Sequence, residues 1–241
     1  MGSKPVSKLP YWTNIYTPVS NLHVDSVMKG FGTKQVLTDI YISCKQGEII
    51  GLLGRNGSGK STLLKIIFGS LEADGKFIKV GNKIINGLYD NRRLISYLPQ
   101  DHFLPSHAAV SSLIKLMCNN ESASLLKNND LIKKILNKKC TQLSGGERRI
   151  LEIMLIIHSE SQFVLMDEPF NGVAPNYRNV IKQMIMNQSM SKGFIITDHD
   201  YRNILDISTR TILLHDGGTK EIFDQEDLKF WGYLSNAVEI R

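Results

Sequence analysis

The sequence has no apolar run long enough to cross a bilayer and very little cysteine. Its longest apolar runs, such as Ile153–Ile157 and Phe163–Met166, are far shorter than the ~18 residues that a spanning helix needs. Its three cysteines are isolated and odd in number, which argues against a disulfide framework or a zinc site. An export signal is also missing, so we expect a cytoplasmic protein that reaches a membrane only through a partner.

The composition otherwise indicates a globular protein. The chain has 241 residues, 42% of them hydrophobic, which is enough for one large unit with a substantial core. The net charge of +6 is dispersed, apart from the run Lys133–Lys139, which we interpret as a solvated helix face. A nucleic-acid partner is therefore not expected. The proline-containing residues 1–20 show no helical or strand period, and we predict an extended arm there.

Periodicity along the rest of the chain predicts an α/β fold. Alternating apolar residues from Asn21 to Cys44, with a turn at Gly30–Gly32, predict antiparallel strands. The run at 49–53 has no alternation, as expected for a strand covered on both faces, and a helix from Thr62 to Phe68 follows it. Helical periods predict a small helical insert over residues 104–139. Further buried strands are predicted at 163–166 and 194–197, with a hairpin turn at 216–218.

A glycine-rich loop between the predicted strand at 49–53 and its helix matches the pattern G-x-x-x-x-G-K-[ST] of a phosphate-binding loop. In such a loop the glycines let backbone N–H groups face phosphates, and the helix N-terminus adds partial positive charge. Lys60 would contact the β and γ phosphates, and the hydroxyl of Ser61 would reach Mg²⁺. The predicted nucleotide-binding residues are Gly54, Arg55, Asn56, Gly57, Ser58, Gly59, Lys60, Ser61 and Thr62.

An acidic pair follows the predicted strand at 163–166. Asp167 and Glu168 would stand at the carboxyl end of this strand, where open α/β sheets bind ligands. With a phosphate loop upstream, Asp167 is predicted to hold the Mg²⁺ shell, usually through water. Glu168 is predicted to polarise the water that attacks the γ-phosphate. Without that loop, the pair would indicate only an ordinary turn.

The segment Leu143–Glu147 opens a second apolar helix. Ser144 and Glu147 have the spacing of a capping box, but Gly145 and Gly146 are costly in a first helical turn unless a ligand approaches the bare N–H groups. This pentapeptide resembles the signature motif of the ATP-binding cassette family, in family order between the phosphate loop and the acidic pair. The resemblance covers roughly residues 21–225.

Membership of that family would give three further residues a role. Gln100, after the apolar run at 95–99, resembles the glutamine that touches Mg²⁺ and senses a partner. His199 resembles the histidine that contacts the γ-phosphate, and Phe31 resembles the aromatic that stacks on adenine. Ala174 departs from the family, which usually has an aspartate there to link two nucleotide sites.

The resemblance implies a P-loop core with a mainly parallel mixed sheet, an antiparallel β subdomain and a helical subdomain at about 104–160, all within 21–241. It further implies an Mg-ATP-hydrolysing subunit, similar to those of lipopolysaccharide export and branched-chain amino acid import. Such a subunit pairs head to tail with a second copy or another cassette and powers multi-span permease subunits at the cytoplasmic face of the membrane. Two other classes stay open: a soluble ATPase acting on nucleic acid, ribosomes or cofactor assembly, and a non-hydrolysing binding module.

Overall fold

The computed structural model describes residues 20–234, so the predicted arm lies outside the described residues except for Ser20. The strands are β1 (Asn21–Phe31), β2 (Lys34–Lys45), β3 (Ile49–Leu53), β4 (Gly75–Val80), β5 (Lys83–Ile84), β6 (Ile95–Leu98), β7 (Phe163–Asp167), β8 (Gly193–Thr197), β9 (Arg210–His215) and β10 (Gly218–Ile222). The helices are α1 (Lys60–Phe68), α2 (Val110–Met117), α3 (Asn120–Asn128), α4 (Asp130–Lys133), α5 (Gly145–Ile157), α6 (Pro175–Ser189), α7 (Tyr201–Leu205) and α8 (Gln225–Phe230). A short 3-10 helix covers Cys140–Gln142.

The strands form two sheets. The smaller sheet is antiparallel, in the order β2-β1-β4-β5, and buries alternate residues of its long strands. The turn between β1 and β2 lies at Gly32 and Thr33, two residues later than its predicted start, because β1 continues to Phe31. The larger sheet has the order β10-β9-β3-β8-β7-β6 and is parallel except for the hairpin strand β10. The predicted α/β fold with a mainly parallel sheet is therefore confirmed.

The larger sheet lies between two hydrophobic cores. Ile50 and Leu52 of β3 pack into one core, with α1 and the antiparallel sheet. Ile49 and Leu53 pack into the other core, with α5 and α6. Both faces are thus covered, which is why β3 is apolar at nearly every position and shows no alternation. Helix α1 begins at Lys60, two residues before the predicted start, and Gly69 ends it in the left-handed conformation with φ 91°.

Helices α2 to α5 occupy the chain between β6 and β7. The first of them begins at Val110, later than the predicted helical start near residue 104, because residues 99–109 form bends, a turn and an isolated β-bridge from Ala109 to Lys139. The prediction of a helix face over Lys133–Lys139 is wrong, since α4 ends at Lys133. Within residues 20–234, no helix combines the length and the hydropathy that crossing a membrane requires.

Candidate active site

The glycine-rich loop leads from the buried strand β3 into α1. Gly54 and Gly59 are required by close approach, since a Cβ on them would lie 2.6 Å from Ser58 Oγ and 2.7 Å from Val36 Cγ1. Gly59 is also the N-cap of α1, with φ 105° and no side-chain cap, and the first turn carries no acidic residue. The first N–H groups of α1 are therefore free of a side-chain cap, as a phosphate site requires.

Lys60 places a buried cation at this loop. Its side chain is only 8% exposed, and Nζ donates hydrogen bonds to Gly54 O at 2.7 Å and Arg55 O at 3.2 Å. Burial lowers the pKa of Lys60, and the negative charges of Glu168 and Asp167 oppose that shift. The ammonium group is held by neutral carbonyls, which a phosphate oxygen could replace as a stronger, charge-assisted partner.

Glu168 lies at the centre of the site, just after β7. Its Oε2 accepts a hydrogen bond from Gln100 Nε2 at 3.0 Å and lies 2.8 Å from His199 Nε2. Burial raises the pKa of Glu168; His199 lowers it, and Asp167 raises it further. Gln100 follows β6 and His199 follows β8, so three neighbouring parallel strands bring these side chains to one sheet edge. A carboxylate with a raised pKa at this position is suited to act as a general base.

Asp167, the last residue of β7, is buried beneath this group. Tyr97 Oη donates to its Oδ2 at 3.2 Å, and Thr197 Oγ1 donates to its Oδ1 at 2.8 Å. These two donors come from β6 and β8, the strands on either side of β7. These hydrogen bonds fix the orientation of the Asp167 side chain. Its negative charge raises the pKa of Lys60. We expect such an acid to act on Mg²⁺ through bound water.

A cavity of about 370 Å³ brings most of the predicted residues together. Its lining is Phe31, Val36, Asn56, Gly57, Gly59, Lys60, Ser61, Thr62, Gln100, Glu168 and His199. Phe31 is 50% exposed at the end of β1, and Lys29 Nζ lies 5.3 Å from its ring. An exposed aromatic ring at the rim of a phosphate loop is available to stack on a purine.

The predicted residue Arg55 faces elsewhere. It lines a neighbouring cavity of about 310 Å³ together with Ser58, and its guanidinium donates to Gly232 O.

Within residues 20–234, no group of three or more His, Cys, Asp or Glu is placed to hold a metal ion. The Mg²⁺ prediction thus depends on mixed oxygen donors, the hydroxyl of Ser61, the amide of Gln100 and the carboxylate of Asp167.

The segment that resembles the signature motif lies apart from the cavity that contains Lys60. Ser144 and Glu147 make the predicted capping box at the start of α5, with Glu147 N donating to Ser144 Oγ at 3.2 Å and Ser144 N to Glu147 Oε2 at 2.8 Å. Ser144, Gly146 and Ala174 line a different cavity, of about 440 Å³. The fold of a single chain therefore does not bring the signature segment to the cavity that contains Lys60.

Two buried charged residues on α5, which contact the backbone near Gln100 and Glu168, were not identified from the sequence. Arg149 donates to the carbonyl oxygens of Asp167 and Glu168. Glu152, fully buried, accepts from Phe103 N at 3.2 Å and lies 2.9 Å from His102 Nδ1. The available signal was a pair of opposite charges at i and i+3 inside an apolar helix, since such charges are rarely buried without a specific partner.

Known proteins resemble this chain over most of its length. A family model described as ABC transporter matches residues 37–171. The lipopolysaccharide export system ATP-binding protein LptB of Haemophilus influenzae is 31% identical over 231 residues, which cover 88% of this chain and 96% of LptB. The sulfate/thiosulfate import ATP-binding protein CysA of Bacillus cereus is 26% identical over 223 residues, and the chain spans only 62% of the length of CysA.

The fold is shared with solved structures. The structure of an ATP-binding subunit of an ABC transporter superposes with a TM-score of 0.77, covering 88% of this chain and 93% of that one. At 21% sequence identity, this likeness shows the fold alone. The family match covers more than half of the chain, and the relative LptB is matched over nearly its whole length. This chain therefore belongs to the ABC transporter family and is one of its ATP-binding subunits, an ATPase.

Proposed function

We propose that hydrolysis of Mg-ATP takes place in the cavity that contains Lys60 and Glu168. The observation that carries this proposal is the convergence of Gln100 and His199 on one oxygen of Glu168, at the rim of the phosphate loop. Lys60 and the uncapped N-terminus of α1 would bind the phosphates, and Phe31 would stack on adenine. The remaining loop residues would surround the triphosphate with backbone N–H groups.

Ser61, Gln100 and Asp167 would hold Mg²⁺, which supplies charge neutralisation of the phosphates when bound. Glu168 accepts the proton of the attacking water, because its raised pKa brings it closer to the operating pH. His199 lies 2.8 Å from the same carboxylate oxygen as Gln100 and would contact the γ-phosphate. Glu168→Gln should therefore bind Mg-ATP and hydrolyse it at least 100-fold more slowly. Equal turnover of the variant and wild type in a phosphate-release assay would disprove the base role.

The same proposal includes a head-to-tail dimer. Ser144 and Gly146 line their own cavity, apart from Lys60, so each nucleotide would be completed by the signature segment of a second copy or a paired subunit. Closure would follow ATP binding, and reopening would follow hydrolysis. In light scattering, Glu168→Gln with Mg-ATP should form a dimer that wild type with ADP does not form. A monomer at saturating ATP would contradict this assembly.

We propose that the ATPase drives membrane permease subunits and binds them at the cytoplasmic face of the membrane. Support comes from the relatives, since LptB is named for an export system and CysA for import. The Phe103 side chain, 37% exposed beside Gln100, is the proposed contact, while the His102 ring already pairs with Glu152. Tagged protein from solubilised membranes should bring down multi-span proteins, and Phe103→Ala should release them.

Phe223→Ala is the matched control for this experiment, because Phe223 is 86% exposed on another part of the surface. It should retain the partners that Phe103→Ala loses, and both variants should keep basal ATP hydrolysis. Enrichment of ribosomes, nucleic acid or assembly factors, with no membrane protein above an untagged control, would instead support a soluble ATPase.

A further inference from the structure

Arg149 is a buried cation whose guanidinium donates hydrogen bonds to backbone carbonyls. It lies on α5, one turn beyond the cap residue Ser144, and is only 3% exposed. Its Nη2 donates to Asp167 O and to Glu168 O, both at 3.0 Å, and its Nη1 donates to Pro99 O at 2.7 Å. The carboxylate of Glu152 is more distant, at 3.6 Å from Nη1. The guanidinium therefore joins three chain segments at the active site.

The two carbonyls on Nη2 belong to successive residues, which in an extended strand would point in opposite directions. They converge because Glu168 has φ 51°, in the left-handed region that residues other than glycine rarely adopt. The peptide after β7 is thus turned toward Arg149, and charge-assisted hydrogen bonds compensate for an unfavourable backbone conformation. That conformation also sets the direction in which the Glu168 side chain leaves the sheet edge.

The third carbonyl, Pro99 O, immediately precedes Gln100. Arg149 therefore holds the backbone on both sides of the hydrogen bond between Gln100 and Glu168. We propose that Arg149 is a positioning residue for ATP hydrolysis, which fixes the left-handed turn at Glu168 and keeps Gln100 beside it. This inference depends on the proposed base role of Glu168. Since α5 begins at the signature cap, movement of that helix would also reach Glu168 through Arg149.

The test separates catalysis from nucleotide binding and from stability. Arg149→Met removes all three hydrogen bonds and should lower kcat by about 100-fold, the scale expected when a catalytic group is misplaced by about 1 Å. Arg149→Lys keeps the charge but lacks the planar fork, so it should show a smaller loss. The Kd for ATP measured without Mg²⁺ should change less than about twofold in both variants, because Lys60 and its loop are untouched.

Arg148→Lys is the matched control, since Arg148 is the neighbouring arginine on α5, and its guanidinium donates to Leu104 O and lies 3.5 Å from Glu152, whereas Arg149 donates to the carbonyls of Asp167 and Glu168. It should retain wild-type kcat. Ile185→Ala controls for stability, because it empties a fully buried position on α6 and should lower Tm without lowering kcat per folded molecule. Added guanidinium ion should partly restore kcat in Arg149→Ala and should have no such effect on Glu168→Gln.

Several outcomes would overturn the proposal. Unchanged kcat in Arg149→Lys together with a lowered Tm would make Arg149 purely structural. An equal loss of kcat in Arg148→Lys, or a parallel loss of affinity for ATP without Mg²⁺, would also count against positioning of Glu168. If wild type and Glu168→Gln hydrolysed ATP at equal rates, Glu168 would not be the general base. That comparison involves no Arg149 variant, so it tests the base role separately from the role of Arg149.

Discussion

Gln100 and Glu168 are 68 positions apart in sequence, yet Gln100 Nε2 donates a 3.0 Å hydrogen bond to Glu168 Oε2. His199 Nε2 lies 2.8 Å from the same oxygen. One carboxylate oxygen thus fixes the relative positions of residues that follow three different strands. Since carboxylate orientation controls which water it can polarise, this contact is the geometric centre of the proposed hydrolysis.

Lys60→Ala should weaken Mg-ATP binding by roughly 10- to 100-fold, since hydrogen bonds to charged groups contribute about 1.5–3 kcal/mol. Calorimetric titration would measure the change. Lys65→Ala is the control, because Lys65 is exposed on the same helix and should leave the Kd unchanged. A similar loss of affinity in both variants would indicate that general positive charge, and not the phosphate-loop contact, governs binding.

The acidic limb of the pH–rate profile should lie above the ordinary glutamate value of 4.5, because burial raises the pKa of Glu168 and the base must be ionised. His199→Ala removes a group that lowers this pKa, so the limb of its residual activity should move to higher pH. Steady-state hydrolysis between pH 4 and 9 would show both shifts. A limb below 4.5 would be inconsistent with Glu168 as the titrating group.

The same raised pKa predicts a stability effect. A carboxyl whose folded-state pKa exceeds its unfolded value stabilises the protein fully below that unfolded value, and the contribution is lost as pH rises through the folded pKa. Glu168→Gln cannot ionise, so at pH 7 its Tm should equal or exceed that of wild type, with the difference disappearing below about pH 4.5. A lower Tm at pH 7 would mean that the ionised group contributes net stability through Gln100 and His199.

Ala174→Asp should stabilise α6, because Ala174 is the N-cap of that 15-residue helix and makes no side-chain cap. An aspartate there should add ~1 kcal/mol to the free energy of unfolding. Ala174→Asn provides a cap without charge. If only Ala174→Asp raises turnover or its cooperativity in ATP, the missing acid limits communication between sites. Equal kinetic changes in both variants would assign the effect to helix capping.

The burial of Lys192 predicts that the stability of the protein depends on pH in the alkaline range. It is 8% exposed, its Nζ donates to Ile157 O at 2.8 Å, and burial lowers its pKa to about 8 from 10.5. Between pH 8 and 10.5 the folded protein binds fewer protons than the unfolded chain. Lys192 therefore makes the free energy of unfolding rise with pH over that range, and it contributes no pH dependence below about pH 8. Denaturant unfolding of Lys192→Met should lack that rise. Lys133→Met, at an exposed ion pair, should keep it.

The parts of the structure that the sequence predicted correctly are those with a local cause. Strands covered on both faces appear as apolar runs, and the phosphate loop has its glycines and Lys60 within eight positions. The helix start near residue 104 and the helix face over Lys133–Lys139 were wrong, since turns and tertiary contacts determine where those helices begin and end. Domain limits and the roles of the site residues remain predictions.

By itself, the sequence determined which side chains and backbone groups the candidate site contains and which strands they follow. The glycine-rich loop, the apolar runs and the acidic pair each lie within a few consecutive residues, so they can be recognised locally. Only the tertiary structure decided that Glu168 adopts a left-handed backbone, that Arg149 turns inward to hold it, and that the signature segment faces a different cavity from Lys60. The contacts of Arg149 join it to residues 18, 19 and 50 positions away. They arise from how parallel strands and α5 pack around a shared core, which no local pattern encodes.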